Sequence, residues 1–511
     1  MLRGLLTLTV LSTAIAFAAG CGDDGASSST DAASLAPAGS LLYGEGTLRP
    51  EGDQKAALDE LVAKFPGEGS ASERVGRWLE MLVAESDTGL SYEQDIQPWL
   101  GDDGAFFIAD IAPGGDEADG AFLVATEDED ATVDAIEKEG GTRKTEYEGH
   151  DLYLATDKEG AAAVVDGWLA LGTPPAVKAA LDTADGGEPL ENEDRYQQAL
   201  EDAPEDRIGF IYVDMPGLYQ KLEAMPGAAA LGQFRQMFDE PVLVTANADE
   251  AGVRFEGTVP ASMLGAFPFV AEGSGAAGEL PADAWLALAQ PDLGETMEGY
   301  LDLFAASAGG RDVIRQQLEA FTGLDLERDV LSWMGDWGAF VRGTSVAELE
   351  GAVFIETDDE AASGRVIDAI GRLARRSGEP GMRVTPLQLS GGGEGLTVRG
   401  GDLGKPVHLF QRDGRVVAAY GDAAAEDALD PAEALADTPT FAQAEEALGG
   451  DYPISFFLAI EPLLELAESE GAGADEDWEK VKPYLEPLGA LASGARREGE
   501  NLRSVFGLTV K

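Results

Sequence analysis

The chain has 511 residues, 44% of them hydrophobic, and a formal net charge of −60 at neutral pH. It is long enough for two or more domains with their own cores and too apolar to be disordered. A surface this acidic repels phosphate backbones, which argues against nucleic acid as a partner, and it disfavours broad contact with anionic lipid headgroups.

The first segment, MLRGLLTLTVLSTAIAFAAGC, carries Arg3 as a short positive region and an apolar stretch from Leu5 to Phe17. Small residues Ala18, Ala19 and Gly20 then precede Cys21. The apolar stretch falls short of the ~20 residues that a spanning helix needs. The pattern reads as a signal peptide over 1–20 ending in a lipobox, with Ala18 where such motifs prefer leucine. The chemistry needs a thiol that becomes a thioether to diacylglycerol, and small neighbours that let the backbone enter the peptidase. Cys21 is the one cysteine of the chain, so no intramolecular disulfide can form. Cys21 is therefore the expected lipidation site, carrying acyl chains such as palmitate, each buried CH₂ of which is worth about 0.8 kcal/mol. The small polar residues that follow make 21–35 the expected flexible tether.

Beyond the tether, Leu58, Leu61, Val62 and Phe65 recur at helical spacing. Short apolar runs such as Ala105–Ile111 and Ala121–Thr126 read as strands, and Asp166-Gly167 as a hairpin turn. In the second half Ile314, Leu318 and Phe321 repeat the helical spacing, and Val353–Thr357 reads as a strand.

An internal repeat organises these elements. Thr88–Phe106 (TGLSYEQDIQPWLGDDGAF) matches Thr322–Phe340 (TGLDLERDVLSWMGDWGAF) without a gap, with 11 of 19 positions identical. Shared residues include Asp95/Asp329, Trp99/Trp333, Gly101/Gly335 and Gly104/Gly338. The flanks keep the same order, from Pro37-Ala38-Gly39 and Pro281-Ala282-Asp283 to the closing strands at Val253 and Ser504. The period is too long for a solenoid and implies duplicated domains. The expected layout is a first repeat domain over 36–260, a linker over 261–279 and a second repeat domain over 280–511. The expected fold class is α+β, with two tandem duplicated domains, each a mainly antiparallel sheet covered on one face by helices.

Chemistry is sparse. Histidine occurs twice, at His150 and His408, at positions that do not correspond between the copies. There is no HExxH, CxxC, GxSxG or Walker A pattern, and Gly391-Gly392-Gly393 reads as a turn. The acidic runs Glu127–Asp130 and Asp358–Glu360 follow a strand and precede a helix in both copies. Helix capping is their expected role, with a cation site as the alternative. Trp99 and Trp333 are expected at a core edge, and Asp95 and Asp329 in capping or turn hydrogen bonds. No catalytic residue, metal ligand or cofactor is expected, and the chain does not read as an enzyme.

The lipobox, the Pro-Ala-Gly/Asp openings and the Asp-Gly strand followed by a helix over Asp166–Leu181 resemble bacterial envelope lipoproteins of the domain of unknown function 3352 family. The resemblance covers most of residues 36–511 and implies no activity and no site residues. The expected role is an exported lipoprotein, anchored to the extracytoplasmic face of a membrane in the cell envelope. It would bind an envelope protein partner or support the envelope without catalysis. The alternative is a small-ligand or cation-binding protein using the cleft between the halves.

Overall fold

The computed structural model describes residues 31–511 apart from 50–51, 86–89, 113–116, 140, 157–158, 202, 205–206, 226–231, 233–234, 236, 261–270, 306–309, 378–380, 388, 390–392, 401–402 and 500. The signal segment, Cys21, most of the tether and linker, and Gly391 and Gly392 lie outside the described residues. The chain divides into two compact units with their boundary at Val259 and Pro260.

In the first unit the strands are β1 (Leu42–Thr47), β2 (Leu100–Ile111), β3 (Ala118–Thr126), β4 (Thr142–Tyr147), β5 (His150–Ala155), β6 (Ala161–Val165), β7 (Trp168–Gly172), β8 (Gly209–Val213), β9 (Val242–Asp249) and β10 (Gly252–Pro260). They form one antiparallel sheet in the order β10-β9-β8-β1-β2-β3-β7-β6-β5-β4. Its helices are α1 (Gly52–Ala63), α2 (Ala71–Glu85), α3 (Glu129–Glu139), α4 (Pro174–Ala184), α5 (Asp194–Glu201) and α6 (Met215–Glu223). A short π-helix, Tyr92–Ile96, leads into β2.

The second unit repeats this plan. Its strands are β11 (Ala284–Gln290), β12 (Trp337–Arg342), β13 (Glu350–Glu356), β14 (Arg383–Pro386), β15 (Glu394–Arg399), β16 (Val407–Arg412), β17 (Arg415–Tyr420), β18 (Ile454–Ala459), β19 (Leu488–Glu498) and β20 (Asn501–Val510). Their order is β20-β19-β18-β11-β12-β13-β17-β16-β15-β14, again antiparallel throughout. The helices are α7 (Leu293–Ala305), α8 (Arg311–Thr322), α9 (Glu360–Ser377), α10 (Asp422–Asp427), α11 (Pro439–Ala447), α12 (Ile460–Ser469) and α13 (Glu476–Leu485), with a second π-helix at Leu326–Leu331. The two sheets correspond strand for strand, so the fold is α+β with two duplicated domains.

Helices cover both faces of each sheet rather than one. In β6, Ala161, Ala163 and Val165 pack with Val177 and Leu181 of α4, while Ala162 and Val164 pack with Ala135 and Ile136 of α3. Side chains alternate across a strand, so two-sided burial demands an unbroken apolar run, which β6 (AAAVV) and β7 (WLALG) supply. In the second unit Val417 joins the core under α11, and its neighbour Val416 joins the core under α9.

Two boundaries shift. Ala32, Ala33 and Leu35, expected in the tether, are buried in the first core. Ala277, expected in the linker, is buried in the second core. Ala32 and Ala33 lie on the short 3₁₀ helix Ala32–Ser34, which Leu35 caps, and Ala277 lies on Ala276–Glu279; each helix leads into a Pro-Ala opening. Pro37 then bridges Pro189, and Pro281 bridges Ala434. The apolar spacing of α8 does form a helix, but the helix buries no residue and leaves Phe321 72% exposed. Among the described elements, α7 and the π-helix lie closest against it.

The Asp-Gly hairpins are left-handed at both central residues, φ 50° and 83° at Asp166-Gly167, φ 54° and 74° at Asp413-Gly414. That is the turn whose twist matches paired strands. A Cβ on Gly414 would come no nearer than 3.7 Å to another group, so substitution there tests backbone conformation alone. Gly414→Ala is expected to lower stability by about 1–2 kcal/mol in denaturant unfolding, without change in the far-UV spectrum.

Candidate functional site

The residues matched between the copies converge on one corner of each unit. Trp99 is 6% exposed, and its Nε1 donates to the Asp95 carbonyl at 2.6 Å. The Asp95 carboxylate accepts from the Ser91 N–H at 2.8 Å and from Lys138 Nζ on α3 at 2.5 Å. In the second unit Trp333, 5% exposed, donates to the Asp329 carbonyl at 3.1 Å. The Asp329 carboxylate accepts from the Asp325 N–H at 2.9 Å, and from Arg328 and from Arg365 of α9 at 2.8 Å each. The aspartate closes the π-helix and pins the following long helix to it. Hydrogen bonds from Lys138 and from the Ser91 N–H hold the Asp95 carboxyl below its usual range. The Arg328 guanidinium, then the Asp325 N–H and Arg365, do so more strongly for Asp329. Each corner is a structural joint.

The acidic runs take up capping positions. The Asp128 N–H donates to Thr126 Oγ1 at 3.2 Å, and Asp128 Oδ1 accepts from the Ala131 N–H at 3.0 Å. Thr357 and Asp359 repeat both bonds, at 3.1 Å and at 2.9 Å from the Ala362 N–H. Among the described residues no group of three or more His, Cys, Asp or Glu side chains is placed to hold a metal ion. Nor is any helix among them long and apolar enough to cross a membrane.

The histidines belong to different units. His150 lies at the start of β5 and meets Asp185 at 3.1 Å. His408, fully buried on β16, meets Thr397 Oγ1 at 3.0 Å and Asp422 at 2.9 Å. It pairs in register with Thr397 and Ala419, a position that Ala161 occupies in the first unit.

Two polar features of the first unit have no counterpart among the described residues of the second. On β1 the buried Tyr43 donates from its hydroxyl to Glu45 Oε2 at 2.8 Å, and its ring meets Tyr196 edge-on at 5.7 Å. Burial first, then the nearby Asp31, pushes the Glu45 carboxyl up to about 7, against the Tyr43 hydrogen bond and the charge of Arg207. Leu288 holds the corresponding place in β11: Glu45 pairs with Ala105 and Phe210, Leu288 with Ala339 and Phe456. Burial also raises Tyr43 well above the ordinary phenol range, so it is no acid partner near neutrality.

The second feature is a cavity of about 570 Å³ between α2, the π-helix and the chain just after β1. Its floor is Leu48, Val75, Leu79 and Leu100, and Tyr92 lines it. An open groove of about 880 Å³ lies in the second unit, but its arginines are engaged. Arg415 meets Glu356 at 3.1 Å, and Arg412 meets Glu426 at 2.9 Å. Glu45 lines neither depression.

A family model described as a protein of unknown function (DUF3352) matches residues 4–393, more than half of the chain. The chain belongs to that family. No curated protein matches it. Likeness to solved structures is slight. Two crystal forms of TP0453, form I and form IV, align with a TM-score of 0.26 each, at 9% and 10% identity. Each alignment covers 45% of this chain, and 79% or 81% of the other. Nothing is carried over from a likeness of that size.

Two outcomes are expected. Trp333→Ala should destabilise by about 3–5 kcal/mol in denaturant unfolding, because a buried ring leaves a cavity at the joint. Glu45, raised from 4.5 to about 7, contributes stability that is full below its unfolded value and is lost as pH rises through 7. Glu45→Gln should therefore match wild type at pH 4 and exceed it by ~1–3 kcal/mol at pH 8, read from the denaturant midpoint at each pH.

Proposed function

We propose that this member of the DUF3352 family is an exported lipoprotein, held on the extracytoplasmic face of a membrane by a lipid on Cys21, and that it acts there by binding rather than catalysis. The observation that carries the anchoring is the placement of the sole cysteine. Cys21 ends a run of small residues behind an apolar segment, and the first described element, Ala32–Ser34, begins shortly after it. The lipid would thus join the folded body through about ten residues, roughly 35 Å at full extension.

The non-catalytic half of the reading is supported by what the duplication keeps. Asp95, Asp329, Trp99, Trp333 and the threonine-aspartate caps are taken up in hydrogen bonds that close the fold. An acid–base mechanism needs two positioned groups facing a substrate space. Glu45, the carboxyl that titrates near neutrality, faces a phenol and lines neither depression. An envelope protein remains the expected partner class.

Mass spectrometry of protein purified from membranes should find a mature chain that begins at an acylated Cys21. Cys21→Ser should move the protein out of the membrane fraction with its fold intact by circular dichroism. An unmodified thiol, or a mature chain starting elsewhere, would sink the anchoring.

A further inference from the structure

We propose that the outward face of the last two turns of α9 is a docking surface for the anionic headgroups of a phospholipid bilayer. The proposal rests on the anchoring reading above and adds a second contact between the body and the membrane. Helix α9 has 18 residues where its counterpart α3 has 11. Counted from the matched caps, the further residues are 371–377, and they carry Arg372, Arg375 and Arg376. The two helices also differ in the sign of their charge. Helix α3 sets Glu129, Asp130, Asp134, Glu137 and Glu139 against Lys138. Helix α9 sets Arg365, Arg372, Arg375 and Arg376 against Glu360 and Asp368. In a chain of 95 acidic and 35 basic residues, the part that one copy has added here is basic.

Packing fixes where these arginines look. Ala362 and Ile367 hold α9 against Leu396 and Val416 of the sheet. Arg372, Arg375 and Arg376 are three and four residues apart, so they share one face, and all three are exposed. Arg365, two turns earlier, is held by Asp329 at 2.8 Å. The three later guanidiniums have no ion pair or hydrogen bond among the described residues. Asp368, the one acid from 361 to 377, is exposed and makes no ion pair with Arg372 one turn on. Like charges at these spacings weaken a helix. The negative end of the helix dipole offsets part of that cost but gives the arginines no acceptors in the fold.

Complementarity of charge calls for an anionic partner, and the tether favours one source. A body joined to Cys21 by a short tether meets the bilayer at high effective concentration. Arginine suits a phosphodiester, because its planar fork donates two N–H groups to two phosphate oxygens. The contact is local, unlike the broad one that the acidity of the whole surface opposes. With a Debye length of about 8 Å, only the charges that face the headgroups act on them. Acidic faces are repelled when they turn toward the bilayer and this end of α9 is attracted, so the field orients the body. Three arginines beside an anionic surface favour attachment on the order of 100-fold. That is too weak to hold an untethered chain through membrane isolation, so Cys21→Ser still releases the protein.

The test is co-sedimentation of the full-length Cys21→Ser protein at low salt with vesicles of phosphatidylcholine, alone or mixed with phosphatidylglycerol. No lipid anchor contributes, and residues 1–20 are common to every variant. Binding to the anionic vesicles is expected to be at least about 10-fold tighter than to the neutral ones, and to fall as salt rises. The triple variant Arg372→Gln, Arg375→Gln, Arg376→Gln should lose that preference. Lysine at the same three positions should keep most of it. A control triple, Lys55→Gln, Lys144→Gln, Lys480→Gln, loses the same charge elsewhere and should bind as the parent does. Circular dichroism checks each fold. The proposal is overturned by equal binding to the two vesicles, by a preference that survives the α9 triple, or by one that the control triple also loses. Release by inorganic phosphate but not by chloride of equal ionic strength would make this a free-phosphate site and also overturn it. So would polyglutamate bound as tightly as the anionic vesicles, which would assign the face to an acidic protein. An unmodified Cys21 would sink the anchoring and leave the vesicle result standing; a flat vesicle result would sink the docking alone.

Discussion

Each unit buries both faces of a broad antiparallel sheet, and the rest of the architecture answers to that constraint. A strand covered on one side can alternate apolar and polar residues; one covered on both cannot. The central strands therefore read as short unbroken apolar runs, and helices must be supplied to both faces. The connections do this in turn. Those after β3 and β13 put α3 and α9 on one face, and those after β7 and β17 put α4, α5, α10 and α11 on the other. A helix on a sheet needs its ends tied down. The Thr-x-Asp caps before α3 and α9 and the aspartate joint at each π-helix provide this. The most closely matched stretch of the two copies is the one where several elements must meet.

Duplication separates what the fold requires from what one copy has acquired. Tryptophan, aspartate and glycine at the joint are kept in both units. Glu45 against Leu288, Ala161 against His408 and Tyr92 against Leu326 differ. Each differing pair sets a polar group against an apolar one at a site with little solvent. A buried polar group is costly unless it is bonded, so its presence in one copy alone calls for a local explanation. His408 has one in Thr397 and Asp422. Glu45 has one in Tyr43, at the expense of its charge. The Tyr92 hydroxyl keeps contact with solvent at the depression that Tyr92 lines.

Much of the fold was legible because it rests on local signals. Asp-Gly pairs mark the hairpins, and an ungapped repeat marks the duplication. The threonine and acidic residues ahead of α3 and α9 mark their caps. The second helical layer was less so: a short apolar run such as AAAVV reads the same whether one face or both are covered, until its length is weighed against its lack of alternation. The boundary residues Ala32, Ala33 and Ala277 were misread because small residues pack in a core as readily as they loosen a tether. The polar features of the first unit were hidden for a different reason. Glu45 is a single acid in LYGEGT, and Gly76 a single glycine in a helix. What makes them unusual is the burial of Tyr43 and Tyr92 nearby, which only the tertiary structure brings about.

The chain holds 95 acidic residues against 35 basic ones, so most carboxylates face solvent or one another. Several basic residues sit at junctions. Arg342 meets Asp427 at 2.7 Å, Glu350 at 3.1 Å and Asp283 at 3.2 Å, tying three segments together. Lys138 and Arg365 tie helices to π-helices. With cations used in this way, the net charge of −60 raises the local concentration of any cation without choosing among them. Screening at physiological salt, with a Debye length of about 8 Å, leaves that attraction short-ranged. Selection must come from a place where charge is joined to shape and to an unmet hydrogen bond.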